Sequence, residues 1–262
     1  MEQTFLYPSS FDTVLYASQL LQAEAIRYGV EHFRRNRGRC MGAIYWQVND
    51  NWPVASWASI DYYGRWKALH YYAKRFFAPV MISCQEESWM TQEANMNRQH
   101  FEFEKSIWLN VTNETLEDKE IQVKWYLRNA KAEILREETE TLSVPALSSV
   151  WMDKVELPEV DVFTEYVSFE AWEEGQKISE GSVIFSYPKY FKYENPNLRF
   201  HVEGNTITVA ADAYAKSVEI LNENEDLVLS DNYFDLNGDS KTVEILRGDP
   251  KNIRVRSVFD IK

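Results

Sequence analysis

The spacing of apolar residues along this chain changes at Pro79, and that change constrains the fold more than any other feature. Before Pro79, apolar residues recur at steps of three and four over residues 12–37 and again over 66–77, which predicts two helices. After Pro79 they alternate with polar residues, which predicts short antiparallel strands. The sequence therefore predicts a multi-domain α+β chain in which β-sandwiches follow a helical part.

The first helix is predicted over residues 12–37. Asp12 is a plausible N-cap, because its carboxylate can accept a hydrogen bond from a free backbone N–H of the first turn. Arginines in the last turn, followed by Gly38, are typical of a helix C-terminus. One face carries a partly apolar stripe, whose members are Leu15, Gln19, Gln22, Ile26, Val30 and Phe33.

Residues 41–48, Met-Gly-Ala-Ile-Tyr-Trp-Gln-Val, form a nearly continuous apolar run between the two helices. Such a run favours a strand covered on both faces, as in a parallel sheet. A loop rich in Trp, Asn, Asp and Pro follows, from Asn49 to about Gly64. Helix, buried strand, loop and helix make one and a half units of an α/β barrel. Residues 1–79 are therefore interpreted as the end of a (β/α)8 TIM barrel that cannot close alone.

Two sets of alternating residues predict two successive immunoglobulin-like β-sandwich domains, at residues 80–187 and 188–262. In the first, polar residues 113–118 are expected to form a hairpin-like connection. In the second, turns are predicted at 203–205 and 237–239, and strand alternation is expected from Ile253 to Ile261. The strands of the first domain are predicted around residues 107–111, 121–125, 167–171 and 183–185.

The formal charge of −13 argues against nucleic acid and against an anionic membrane surface as partners, since both require a basic face. The longest apolar runs are too short to span a bilayer, and the first residues do not resemble a secretion signal. Cys40 and Cys84 lie far apart, so two free thiols are favoured and a disulfide is the alternative. The four histidines have no metal-ligand spacing, and no metal or organic cofactor is implied.

The segment from Tyr45 to Trp57 is the most informative for function. Barrel enzymes place functional side chains where strands end and loops begin, which is where Trp46, Asn49, Asp50 and Trp52 lie. A Trp ring can cover the C–H face of a pyranose, and Asn or Asp can bond its hydroxyls. Alternatively, the Trp rings fill a core and Asp50 caps a local turn.

This segment also carries a family resemblance. Residues 40–71, Cys-Met-Gly-Ala-Ile-Tyr-Trp-Gln-Val-Asn-Asp-Asn-Trp-Pro through Leu-His-Tyr, resemble the last strand, loop and helix of family 2 β-mannosidases. The upstream helix, with Tyr-Ala-Ser-Gln at 16–19, resembles the seventh barrel helix of that family. Residues 229–236, Leu-Ser-Asp-Asn-Tyr-Phe-Asp-Leu, look like the signature of its final immunoglobulin-like domain. The resemblance covers essentially the whole chain.

The resemblance implies a retaining exo-hydrolase of terminal β-D-mannose that works with two Glu residues. Neither catalytic motif of the family occurs in this chain, so no residue here is assigned a catalytic role. Trp46 matches the family's Trp that lines the −1 sugar pocket, and Asn49, Asp50 and Trp52 follow as nearby loop residues. The implied partners are a β-mannoside or manno-oligosaccharide substrate and the N-terminal part of the enzyme.

Three further residues after the loop, Asp61, Arg65 and Lys67, are interpreted as an ionic clasp that holds the loop onto the second helix. Two other functions stay open from the sequence. One is a non-catalytic β-sandwich module that binds carbohydrate or another protein; the other is a family 2 glycosidase with a different sugar specificity. The aglycone preference, the oligomeric state and the compartment are also left open.

Overall fold

The computed structural model describes residues 1–91 and 103–261; residues 92–102, which fall inside the predicted domain 80–187, lie outside them. These residues include two α-helices, α1 (Phe11–Arg35) and α2 (Ala68–Phe76). Neither is long and apolar enough, within the described ranges, to cross a membrane. The chain divides into two compact units, one made of residues 1–30, 43–76 and 193–262 and the other of 31–42 and 77–192.

The second unit contains a β-sandwich whose strands are all antiparallel. One sheet has the order β1-β2-β5, with β6 also pairing to β2, and the other has the order β4-β3-β7-β8. The strands are β1 (Val80–Glu87), β2 (Ser106–Asn113), β3 (Lys119–Asn129), β4 (Ile134–Val144), β5 (Ser148–Trp151), β6 (Val155–Glu156), β7 (Glu165–Glu173) and β8 (Gln176–Ile184).

The core between these two sheets confirms the alternation seen in the sequence. The residues predicted to point inward are buried, among them Ile107, Leu109 and Val111 of β2 and Val123 and Trp125 of β3. The expected hairpin-like connection at 113–118 is wrong, because β2 pairs with β1, β5 and β6 while β3 pairs with β4 and β7. The segment instead carries the chain from one sheet to the other.

The first unit contains a second antiparallel sandwich, with sheets β12-β14-β10-β9 and β13-β11-β15. The predicted turn at 203–205 is confirmed as a β9–β10 hairpin. The turn at 237–239 is present, with Gly238 at φ +71°, but it connects two sheets. The strands are β9 (Arg199–Glu203), β10 (Thr206–Ala210), β11 (Tyr214–Leu221), β12 (Val228–Leu229), β13 (Phe234–Asn237), β14 (Ser240–Arg247) and β15 (Arg254–Arg256).

The strand alternation expected from Ile253 to Ile261 is wrong at its end. Strand β15 covers only Arg254–Arg256, and Val258–Asp260 form a 3₁₀ helix. The Asp260 carboxylate accepts a hydrogen bond from the Ser257 N–H at 2.8 Å, which closes this turn. A short side chain that bonds nearby backbone competes with strand geometry, and here it prevails.

Helix α1 confirms the predicted helix, with two corrections. Its N-cap is Ser10, whose Oγ accepts a hydrogen bond from Thr13 N at 3.2 Å, while Asp12 pairs with Arg256. The predicted stripe is displaced by about one position, since Leu15 and Phe33 are exposed. The buried apolar positions are Tyr16, Ala17, Leu20, Ala23 and Val30. Tyr16 takes the inner face because its hydroxyl donates to Ser217 O at 2.6 Å, so its polar end is satisfied.

The strand predicted at residues 41–48 is wrong: this segment forms no strand. Ile44 is fully exposed, and Met41 and Val48 are exposed as well. A parallel strand is stable only beside other strands, and in the described residues no strand lies alongside this segment; its end is bonded by Ser59 and Ile60 to Gln47 and Val48. Helix α2 begins at Ala68 rather than near Trp66. The Ala68 N–H, at the start of the helix, donates to Gln19 Oε1 at 3.1 Å.

Candidate functional site

The loop that follows the 41–48 segment folds back on itself through two isolated bridges. Ile60 pairs in parallel with Asn49 and antiparallel with Trp66. The Ile60 N–H donates to Val48 O at 2.7 Å, and Asp50 N–H donates to Ile60 O at 3.1 Å. These bonds place residues 59–60 in the middle of the loop, between its beginning and the start of α2.

Ser59 is fully buried at this centre. Its N–H donates to Gln47 O at 3.0 Å, and its Oγ donates to Val48 O at 2.9 Å. The same Oγ lies 3.0 Å from the Tyr45 hydroxyl and 3.2 Å from His70 Nδ1. Burial lowers the pKa of His70 below its ordinary value, so its imidazole is neutral near pH 7.

The structure separates the four predicted site residues into two groups. The side chains of Trp46 and Trp52 are 73% and 64% exposed, and Asn49 is exposed too. Asp50 is only 7% exposed, and both of its carboxylate oxygens lie 2.7 Å from Ser56 Oγ. Asp50 therefore organises the loop from inside, while the other three face solvent.

The loop interior is completed by polar contacts to backbone atoms. Ser56 Oγ accepts the Ala58 N–H at 3.0 Å, and Lys67 Nζ donates to Ser56 O at 3.1 Å. Burial lowers the pKa of Lys67, while the charges of Asp50 and Asp61 oppose that shift. Because these groups satisfy one another, the loop has a defined shape without regular secondary structure.

The predicted ionic clasp is present in part. Arg65 Nε donates to Asp61 Oδ2 at 2.5 Å, and Asp61 Oδ1 accepts the N–H groups of Tyr63 and Arg65, each at 2.9 Å. Lys67 bonds the Ser56 carbonyl instead of joining the Asp61–Arg65 pair. The clasp thus closes the turn at 61–65.

Several side chains of helix α2 bond the second sandwich, and Arg75 makes the most contacts among them. Its guanidinium donates to Asp231 Oδ1 at 2.8 Å, to Asn232 O at 3.1 Å and to Tyr233 O at 3.0 Å. Burial raises the pKa of Asp231, but Arg75 and Lys241 outweigh it and hold that pKa below its ordinary value. The segment 229–236, which carries part of the resemblance, therefore anchors the helix behind the loop.

In chemical terms, the loop presents flat aromatic rings beside an amide. The Trp46 and Trp52 rings can cover apolar C–H faces, and Asn49 can donate and accept hydrogen bonds. The Trp46–Gln47 peptide bond is cis. Within residues 1–91 and 103–261 no group of His, Cys, Asp and Glu is arranged to hold a metal ion; His100 lies outside those residues.

Sequence reasoning missed Ser59, Tyr45 and His70, which together support the segment around Trp46. A single small polar residue between Ala58 and Ile60 has no distinctive signal, because its burial depends on how the loop closes. Ser56 was missed for the same reason. The hydrogen-bond partners within a loop can be identified only when the positions of its two ends are known.

Two family descriptions match adjacent parts of the chain. Residues 105–190 match the Mannosidase Ig/CBM-like domain, and residues 193–261 match an Ig-fold domain of mannosidases. A curated relative, the β-mannosidase of Capra hircus, is 43% identical over 94 residues, which are 31% of this chain and 11% of that protein. The chain thus spans about a tenth of the length of the curated relatives it matches.

Solved structures share the fold over nearly the whole chain. The β-D-mannosidase from Dictyoglomus thermophilum aligns with a TM-score of 0.81 and 21% identity, covering 98% of this chain and 31% of that one. The exo-chitosanase from Amycolatopsis orientalis aligns with a TM-score of 0.66 and 18% identity, covering 98% and 35%. The two domain matches and the 43% identical relative make this chain similar to the C-terminal part of family 2 β-mannosidases, and the solved structures show the shared fold.

Proposed function

We propose that this chain is the C-terminal part of a retaining exo-β-mannosidase that hydrolyses terminal non-reducing β-D-mannose residues. In this proposal, residues 1–79 are the end of a (β/α)8 barrel, and 80–187 and 188–262 are the two supporting sandwiches. The substrate is a β-mannoside or manno-oligosaccharide, and the N-terminal part of the enzyme is the other partner. A relative named β-mannosidase that is 43% identical over 94 residues supports this choice of sugar.

The observation that carries the proposal for the site is the exposure of Trp46. A Trp side chain that is 73% exposed leaves a large apolar area in water, which is unfavourable unless a ligand or partner covers it. The neighbours of Trp46 are held by hydrogen bonds to Ser59, so the exposed ring does not result from a loose segment. We infer that Trp46 forms one wall of the −1 sugar pocket, with Asn49 and Trp52 beside it.

Asp50 has a different role in this proposal. Its carboxylate is engaged by Ser56 inside the loop, so its contribution to the pocket is to shape the backbone that carries Asn49 and Trp52. Retaining glycosidases need two carboxylates about 5–5.5 Å apart and no cofactor. The sequence motifs that carry those carboxylates in the family are absent from this chain. The chain by itself is therefore expected to release no sugar from an aryl β-mannoside.

The experiment that tests the site is Trp46→Ala in the intact enzyme that contains this sequence. We expect kcat/KM for an aryl β-mannoside to fall about 10²- to 10³-fold, because the ring excludes water and supports the distorted sugar in the transition state. Trp57→Ala is the control, since it removes a similar, 57% exposed ring further along the loop that the proposed pocket does not include, and it is expected to leave kcat/KM nearly unchanged. A folded Trp46→Ala enzyme whose kcat/KM stays within about threefold of wild type would identify the ring as a packing residue.

The sugar preference is tested separately with matched aryl glycosides. The fold is shared with an exo-chitosanase, and a fold alone does not select the sugar. We expect the intact enzyme to prefer the aryl β-mannoside over the β-glucosaminide and β-galactoside. Turnover of either of the other two with no turnover of the mannoside would contradict the assignment while leaving the role of Trp46 open to the same test.

A further inference from the structure

We propose that Ser59 is a positioning residue for Trp46, acting through the backbone of the two residues after Trp46 and through the side chain of the residue before it. The inference rests on the proposed function of Trp46 as a sugar-facing residue. Three bonds link Ser59 to the neighbours of Trp46: its N–H donates to Gln47 O at 3.0 Å, its Oγ donates to Val48 O at 2.9 Å, and the Tyr45 hydroxyl lies 3.0 Å from the same Oγ.

The Ser59 hydroxyl has a single hydrogen, and this determines which of its neighbours donate a hydrogen bond to its Oγ. A serine hydroxyl has one hydrogen and can accept two more bonds, and that hydrogen goes to Val48 O. Tyr45 and His70 must therefore both donate to Ser59 Oγ, which requires the proton of His70 to be on Nδ1. The buried hydroxyl then makes three complete hydrogen bonds, and its orientation is determined by its neighbours.

Ser59 is also tied to a fixed element. Its carbonyl accepts the Lys67 N–H at 2.9 Å, one residue before α2, and the Trp66 ring packs against His70 with centroids 4.6 Å apart. Arg75 then holds α2 to the backbone carbonyls of Asn232 and Tyr233. The exposed segment 45–48 is thus connected through one serine to a helix that is itself anchored.

The alternative is that Ser59 only stabilises the loop, with no specific effect on Trp46. Removing the hydroxyl takes away the bonds that Tyr45, His70 and Val48 make to it, and this loss falls on residues 45–48 first. A merely structural serine would lower stability without changing the surroundings of the Trp46 ring. The two possibilities therefore differ in whether the surroundings of the Trp46 ring change, which can be measured directly.

The first experiment labels this chain with 5-fluorotryptophan and assigns the Trp46 ¹⁹F resonance by its loss in Trp46→Phe. Ser59→Ala is expected to shift or broaden that resonance and to leave the resonance of Trp125, in the sandwich core, unchanged. Ser168→Ala is the matched control, since it removes a buried serine Oγ that accepts a bond from Arg128 Nε at 3.0 Å. An unchanged Trp46 resonance in folded Ser59→Ala overturns the inference.

A second pair of variants keeps the inference testable if Ser59→Ala does not fold. His70→Asn retains a donor near the position of Nδ1, whereas His70→Leu removes it. We expect the Trp46 resonance to stay near its wild-type position in His70→Asn and to move in His70→Leu. Equal resonances in these two variants would mean that the donor to Ser59 does not position the ring.

The second experiment measures Ser59→Ala kinetics in the intact enzyme. We expect kcat/KM to fall about 10- to 100-fold through kcat more than KM, because a misplaced wall affects the transition state most. A moved resonance with unchanged kinetics would contradict the sugar-facing role of Trp46 and hence the proposed function. An unmoved resonance contradicts only the positioning role of Ser59, so the two failures are distinguishable.

Discussion

Two apolar runs of similar composition have opposite structures in this protein. The run in β2 lies between β1 on one edge and β5 and β6 on the other, and Ile107, Leu109 and Val111 are buried. The run at 41–48 has no strand beside it in the described residues, and Met41, Ile44, Trp46 and Val48 are exposed. A strand is therefore a property of paired segments, and an apolar sequence becomes one only where another strand bonds it.

The two regions also differ in what holds them. The sandwich around β2 is held by an apolar core between two sheets. The loop around residue 59 is held by hydrogen bonds of Ser56, Ser59 and Asp61. A backbone held by hydrogen bonds can be irregular and can leave aromatic rings exposed, whereas a segment held by an apolar core buries its apolar side chains. This difference predicts distinct responses to mutation and to pH.

The largest expected effect is in the sandwich core. Trp125 is 1% exposed, and Trp125→Ala removes its packing and leaves a cavity, so we expect about 3–5 kcal/mol of destabilisation. Urea unfolding of the chain, followed by circular dichroism, measures this loss. A loss below about 1 kcal/mol would show that the core is less tightly packed than the structure indicates.

A smaller effect is expected from the pH dependence of stability that Glu24 in α1 contributes. Burial raises the pKa of Glu24 in α1, but Arg27 and Lys216 outweigh it and lower that pKa to about 2. Ionised Glu24 therefore stabilises the fold at pH values above its unfolded pKa of about 4.5, and this contribution is lost as pH falls toward 2. The shift corresponds to a contribution of up to about 3 kcal/mol.

The matched variant for this test is Glu24→Gln. The difference in the free energy of unfolding between wild type and Glu24→Gln should be largest at pH 6–7 and should shrink as pH falls below the unfolded pKa of Glu24. Urea unfolding at a series of pH values gives this difference directly. A difference that does not change with pH would mean that Glu24 is not held ionised by Arg27 and Lys216.

The smallest effect is expected at Ile44. Its side chain is fully exposed, so Ile44→Ala removes no buried contact and should change stability by less than about 0.5 kcal/mol. The same urea measurement compares it with Ile107→Ala in β2, where about 2–5 kcal/mol is expected for a buried isoleucine. Similar losses at the two positions would remove the distinction between the two runs.

Local alternation correctly predicted the strands around residues 107–111, 121–125 and 167–171, because one face of each meets the core. It did not reveal which strands pair. The segment at 113–118 was expected as a hairpin-like connection and that at 237–239 as a turn, yet each passes between sheets. Which sheet a strand joins depends on residues distant in sequence. The stripe of α1 was displaced for a related reason, since Tyr16 finds its hydroxyl partner in Ser217.

The candidate site was predicted only in part. The positions of Trp46, Asn49 and Trp52 are exposed as a sugar-facing role requires, but their binding of sugar stays a prediction. The inward turn of Asp50 could not be predicted, because its partner Ser56 is six residues away with no periodic relation to it. Ser59 escaped notice because its role consists of contacts made only when the loop has closed.

Amide hydrogen exchange on the chain tests most directly the claim that residues 41–48 are held by the loop rather than by a sheet. We expect the amides of residues 42–46 to exchange rapidly, those of Asp50, Ser59 and Ile60, which donate to backbone carbonyls, to be protected, and those within β2 to be protected most. Protection of residues 42–46 equal to that of β2, in a monomer, would contradict the account.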